Sequence, residues 1–215
     1  MGPSLRPVSE VGQAALGVFV GYVIGTFPSA DLVTHFVARG SVDIRREGSG
    51  NPGGLNTMRV LGKGWGVLVT LLDALKGAAA GCVGLAIGDA AAYAAGTAAI
   101  AGHVWPVWTR FRGGRGVATA GGSFTAVFPP MFPIAASFAF VVTLIWRRPS
   151  LTMMLVCPLW VAAAVIWSVA DLGNWWGPEP AVGLVVYAVL GAAMILARFR
   201  TSVRPGSAEG SRLRQ

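Results

Sequence analysis

Two glycine-rich segments hold most of the side chains that could handle an anion. The first reads Gly48-Ser49-Gly50-Asn51-Pro52-Gly53-Gly54-Leu55-Asn56, with Arg59 three residues further on. The second runs from Gly102-His103-Val104-Trp105-Pro106 to Arg112-Gly113-Gly114-Arg115-Gly116-Val117-Ala118-Thr119. Glycine lets backbone amides converge on one anion, and arginine sets fixed positive charge beside them. In the first segment Ser49, Gly50, Asn51, Gly53 and Asn56 form either a phosphate nest with Arg59 as its clamp or a plain flexible turn. In the second, Gly113, Gly114 and Gly116 lead into a helix whose amides and dipole could face an anion, flanked by Arg112, Arg115 and Thr119. The alternative there is a glycine hinge with topological arginines.

Four further positions carry ionisable or hydroxyl chemistry. Asp73 and Lys76 lie three residues apart in an apolar stretch and share one helical face. Charges inside a membrane span are costly, so the pair is either functional or an internal ion pair that orders the bundle. Asp31 is a possible further partner. His103 ends an apolar segment and serves either as a base or as a structural hydrogen-bonder; His35 reads as structural. Ser150 either donates to a phosphate or caps a helix beginning at Leu151.

The elements that must position these residues are membrane helices. Apolar residues make up 54% of the chain and charged ones 12%, a balance that excludes an ordinary soluble domain. A span takes roughly 20 apolar residues, and candidates fall at 12–37, 65–87, 90–108, 117–129, 131–146, 151–170 and 181–197. The expected fold is thus all-α and integral to the membrane, with seven transmembrane helices. Arg39, Arg45, Arg46, Arg59 and Lys63, then Arg110, Arg112 and Arg115, then Arg147 and Arg148, fall in alternate connections. By the positive-inside rule these face the cytoplasm, with the N-terminus outside and the C-terminus cytoplasmic. The net charge of +8 then reflects topology and contact with anionic membrane lipids, not nucleic acid. Residues 1–200 form one membrane domain in this reading, and 201–215 a basic, loosely ordered cytoplasmic tail. No cleavable leader is expected at the start.

Small residues predict tight packing: Gly17, Gly21 and Gly25 recur at four-residue spacing, as do Gly77 and Gly81. Cys82 and Cys157 fall inside predicted helices and read as buried fillers, with no disulfide framework or metal site implied. Trp105, Trp108, Trp146, Trp167, Trp175 and Trp176 lie near span ends, as an interfacial belt would.

In their order, these strings resemble the bacterial acyl-phosphate-dependent glycerol-3-phosphate acyltransferases. The resemblance rests on Gly25-Thr26-Phe27-Pro28-Ser29, Asp43-Ile44-Arg45, Gly48 through Arg59, Leu61-Gly62-Lys63, Leu72-Asp73 with Lys76-Gly77, Gly102-His103, Pro106, Phe111, Gly113 to Thr119, and Ser150-Leu151. It implies a seven-helix enzyme of the bacterial inner membrane, its active site facing the cytoplasm, that moves a fatty acyl group from acyl phosphate to the sn-1 hydroxyl of glycerol 3-phosphate. Lysophosphatidic acid and phosphate are the implied products, with no metal or cofactor. Ser49 and Arg59 would bind phosphate, with Arg112, Arg115 and Ser150 completing a basic pocket.

Acyl phosphate is already activated, so positioning and electrostatics should dominate and no protein nucleophile is required. The attacking hydroxyl's proton is expected to pass to a substrate phosphate in preference to His103. The acyl chain would lie in a groove open to lipid. The chain departs from the family's pattern at Gly54-Leu55, at Met153, at Arg115 where a lysine is usual, and at Phe199 and Ser202 where a histidine and an asparagine are usual. A non-catalytic phosphate- or lipid-binding protein of the same fold is the competing expectation. An organic-phosphate transporter stands behind it, since no inverted repeat is visible.

Overall fold

A computed structural model describes residues 9–202, and side chains through Arg200. Of the basic, loosely ordered tail expected over 201–215, Thr201 and Ser202 belong to the last helix, and the rest lies outside the described residues. The order is α1 (Glu10–Gly25), α2 (Ser29–Val37), α3 (Gly54–Leu61), α4 (Lys63–Ile87), α5 (Asp89–Val104), a short 3-10 turn at Val107–Thr109, α6 (Val117–Val127), α7 (Met131–Trp146), α8 (Pro149–Val169) and α9 (Val182–Ser202). Among the described residues every regular element is helical.

Among the described residues, four stretches are long and apolar enough to cross a bilayer: Glu10–Val37, Lys63–Ile87, Pro149–Val169 and Val182–Arg200. Helices α5 and α7 have 16 residues each and α6 has 11. At about 1.5 Å per residue these fall short of a hydrocarbon core of about 30 Å. The outer surface is apolar: Phe19 is 68% exposed, Leu75 63% and Phe140 65%. Water would penalise so many exposed large side chains; lipid does not.

Several elements differ from the sequence expectation; the third expected span, 90–108, ends as a helix at Val104, and two differences shape the site. The first predicted span is two helices, because Pro28 has no N–H to give and its ring excludes the preceding helical turn. Thr26, Phe27 and Pro28 form the break. The first basic loop contains a further short helix, α3, which puts Asn56 and Arg59 on helical backbone.

The glycine stripe of α1 packs on α5. A β-carbon at Gly17, Gly21 or Gly25 would strike the backbone of Ala91, Ala95 or Ala99 respectively. Helix α4 meets α6 equally closely, with Gly77 against the carbonyl of Thr119. A larger core joins α5 through α9 around Trp160 and Tyr187, whose rings lie 5.1 Å apart, with Tyr187 hydroxyl bonded to Ser123 Oγ at 2.5 Å. Cys157 is buried in this core, whereas Cys82 is exposed on α4 and fills nothing.

Candidate active site

The site begins at the α1–α2 break. A broken helix leaves carbonyls without their i+4 amide, and inside a membrane protein such groups need another donor. Lys76, on α4, supplies one: its Nζ donates to the Phe27 carbonyl at 2.9 Å. One turn earlier on the same helix, Asp73 Oδ1 lies 2.8 Å from Lys76 Nζ. His103, in the last turn of α5, brings Nδ1 to 3.4 Å from the same Asp73 oxygen. All three side chains are buried. An ammonium, a carboxylate and an imidazole so close together can persist only because each compensates another.

Above this cluster sits the second glycine loop. The Gly113 amide donates to the Val104 carbonyl at 3.1 Å, and the Gly114 amide to the His103 carbonyl at 3.1 Å. Gly114 has no room for a side chain, since a β-carbon there would press on the His103 ring and on the Pro52 carbonyl at 3.0 Å. Two arginines hold the loop's carbonyls. Arg45 Nε donates to Arg112 O at 3.0 Å, while Arg198 Nη2 donates to Gly113 O at 2.7 Å and its Nε to Gly114 O at 3.3 Å. Arg45 also makes a two-pronged ion pair with Asp31 on α2. Burial, and behind it the nearby Arg112, lowers the Arg45 pKa from the ordinary arginine value. A guanidinium starts so far above neutrality that its charge is retained.

The first glycine loop is held by one side chain. Asn56, fully buried, donates from Nδ2 to Ile44 O at 3.1 Å and to Glu47 O at 3.0 Å. Its Oδ1 accepts from the Ser49 amide at 2.8 Å. The Gly50 amide donates to Glu47 O and the Gly53 amide to Asn51 O, both at 2.9 Å. The Gly50 and Gly53 amides are therefore spent on the first loop itself, and those of Gly113 and Gly114 on the last turn of α5. The groups left facing outward are side chains: Ser49, Arg59 and Arg112 are exposed.

Two recesses meet at the break. A polar cleft is lined by Ser29, Asp31, Arg45, Asp73, Lys76, His103, Gly113 and Gly114, among others. The Ser29 hydroxyl there is buried and has no partner among the described residues. Beside the cleft, Val23, Ile24, Leu72, Leu75, Ala79 and Trp108 line an apolar groove of about 490 Å³. Thr26, Phe27, Pro28 and Lys76 border both recesses.

A family model described as glycerol-3-phosphate acyltransferase matches residues 15–205. The chain belongs to this family. It is 39% identical over 189 residues to the glycerol-3-phosphate acyltransferase of Rubrobacter xylanophilus, which covers 87% of this chain and 88% of that one. Its fold is similar to crystal structures of PlsY (YgiH), an integral membrane glycerol 3-phosphate acyltransferase. The glycerol 3-phosphate form aligns with a TM-score of 0.72 and the lysophosphatidic acid form with 0.73, each at 31% identity over 89% of this chain and 90% of that one.

Within this acyltransferase fold, His103, Lys76, Gly113 and Gly114 of the expected site residues line the cleft. Ser49, Gly50, Asn51, Gly53, Asn56 and Arg59 lie on the first loop and α3, outside its lining. Arg112 is exposed on the second loop, Arg115 and Gly116 lead into α6, and Thr119 is buried in its first turn. Ser150 is the second residue of α8, which starts at Pro149, earlier than expected, after Arg148 as N-cap. Sequence reasoning passed over Arg45, Arg198 and Ser29 as site residues. Arg45 is indistinguishable in sequence from Arg46, yet the first is paired and partly buried while the second is solvated beside Asp43. Ser29 carried a signal after all, as the hydroxyl following the proline that breaks the helix.

Proposed function

We propose that the protein transfers a fatty acyl group from acyl phosphate to the sn-1 hydroxyl of glycerol 3-phosphate, releasing lysophosphatidic acid and inorganic phosphate for phospholipid synthesis. The observation that carries this reading is the junction of a polar cleft with an apolar groove at Lys76 and the Thr26–Pro28 break. A reaction between an acyl chain and a phosphorylated polyol needs such a border. The chain stays in the lipid-side groove while the reacting carbonyl meets the polar side.

In the reaction the hydroxyl oxygen attacks the acyl carbonyl carbon, the carbonyl–oxygen bond to phosphate breaks, and the proton goes to a substrate phosphate. No protein nucleophile takes part. Lys76 has three N–H groups, and its acceptors here are Asp73 and the Phe27 carbonyl. The remaining N–H is suited to the acyl carbonyl oxygen as negative charge develops there. Ser49, Arg59, Arg112, Arg115 and Ser150 serve as the phosphate ligands, through side chains instead of loop amides. His103 acts through its place beside Asp73 and under Gly114. In the cell we place the protein in the bacterial inner membrane as a seven-helix bundle, N-terminus outside, with both loops on the cytoplasmic face where the basic connections gather.

The test is purified protein supplied with palmitoyl phosphate and glycerol 3-phosphate. Phosphate and lysophosphatidic acid should appear in equal amounts. Folded protein that is protected by phosphate against unfolding but releases neither product would instead establish the non-catalytic reading, which the replacement of a usual histidine by Phe199 favours.

A further inference from the structure

Phe199 lies one residue beyond Arg198 on α9, buried at 6% exposure in the cluster that also holds Ile195 and Ala192. The guanidinium carbon of Arg115 sits 4.5 Å from the centre of its ring. Two consecutive residues of α9 thus reach the same loop by different means. Arg198 grips the carbonyls of Gly113 and Gly114, and Phe199 offers a flat ring to the side chain that follows.

The negative face of an aromatic ring attracts a cation most when water is excluded, as it is around a buried ring. A guanidinium that lies flat on a ring keeps its N–H groups in the plane, directed away from that ring. Stacking of that kind fixes where the hydrogen-bonding edge points. A lysine could not be oriented this way, because an ammonium has no plane. The arginine at 115 and the phenylalanine at 199 make sense together: each gives the other a partner of matching shape.

We infer that Phe199 is a positioning residue that holds the Arg115 guanidinium edge-on to the phosphate group of a bound substrate. The inference rests on the proposed function, in which Arg115 binds phosphate. Both substrates carry that group, so the assays are run with acyl phosphate and with glycerol 3-phosphate varied separately.

The experiment compares Phe199→Leu, which keeps apolar volume but removes the ring, with Phe199→Tyr, which keeps the ring. Each is made with Arg115 present and with Arg115→Gln. Phe199→Leu should raise KM for one of the two substrates about fivefold, the scale of a cation–π contact, with little change in kcat. Phe199→Tyr should stay within about twofold of the parent for the same reason. In the Arg115→Gln background, Phe199→Leu should have no further effect. Equal losses from Leu in both backgrounds, or equal behaviour of Leu and Tyr, would overturn the inference and leave Phe199 as core. Should Arg115→Gln itself leave both KM values unchanged, the phosphate role of Arg115 fails and the inference with it. Protection of each variant by inorganic phosphate in thermal unfolding gives the same comparison without turnover, so an inactive parent does not block the test.

Discussion

The two glycine loops look alike in sequence, yet they are held in opposite ways. The first is held from close by: Asn56 reaches back 7 to 12 residues to bond Ser49, Glu47 and Ile44. The second is held from far away, by Arg45 across 67 residues and by Arg198 across 84 and 85. It also rests on the carbonyls of Val104 and His103, and so on the Asp73–Lys76 pair beneath His103. A locally closed loop can take shape as soon as its own segment orders. A loop closed by distant arginines takes shape only when α2, α4, α5 and α9 are already assembled. The first therefore sets its own shape and, through Arg45 between the Ile44 and Glu47 carbonyls, helps to hold the second, which reports on the state of the whole bundle.

The sharpest way to break this contrast is to remove the single residue on which the first loop depends. Asn56→Ala loses three hydrogen bonds from a buried position and should cost about 3 kcal/mol, read by chemical denaturation in detergent. Asn56→Asp should recover only part of that, since it can accept from Ser49 but cannot donate to two carbonyls. A cost under about 1 kcal/mol, the size of a single ordinary hydrogen bond, would show that the loop has other support.

Arg59 probes what the first loop presents, as distinct from what holds it. The side chain is exposed and has no partner among the described residues. Arg59→Ala should leave stability unchanged and lower turnover on the order of a hundredfold, the usual scale for one lost charge-stabilising group. Near-parental phosphate release would remove Arg59 from the site and leave the first loop without its main cation.

The second loop's dependence on a distant clamp predicts a smaller effect. Arg198→Lys keeps the charge but loses the fork that spans two neighbouring carbonyls. Losing one bond to a charged donor, about 1.5 kcal/mol, should raise KM about tenfold. Arg198→Met should be worse than Arg198→Lys by a further few-fold, because the remaining charge contact goes too. If Lys and Met behave like the parent, the clamp does not position the loop and the contrast between the two loops fails.

The sequence by itself determined the class of the molecule. Apolar stretches of about 20 residues allow only a helical membrane protein, because hydrocarbon leaves unpaired backbone groups nothing to bond and a barrel strand spans with only about 10. Ordered strings such as Gly48–Arg59 and Gly113–Thr119 pointed to the family, and the family model confirms that membership. The small-residue stripe of α1 was also legible, since a four-residue period fixes one helical face; that this face meets α5 was not. Tertiary structure alone decided which charges are partners. Arg45 joins Asp31 and Arg46 does not, because only one of two adjacent side chains points inward once the loop has folded. It also decided that the Gly50 and Gly53 amides serve their own loop while those of Gly113 and Gly114 serve the end of α5, since an amide's partner depends on which carbonyl packing brings within reach. Spacing along the chain sets helical faces and turns; the partners of a loop arginine are set by which helices assemble around it.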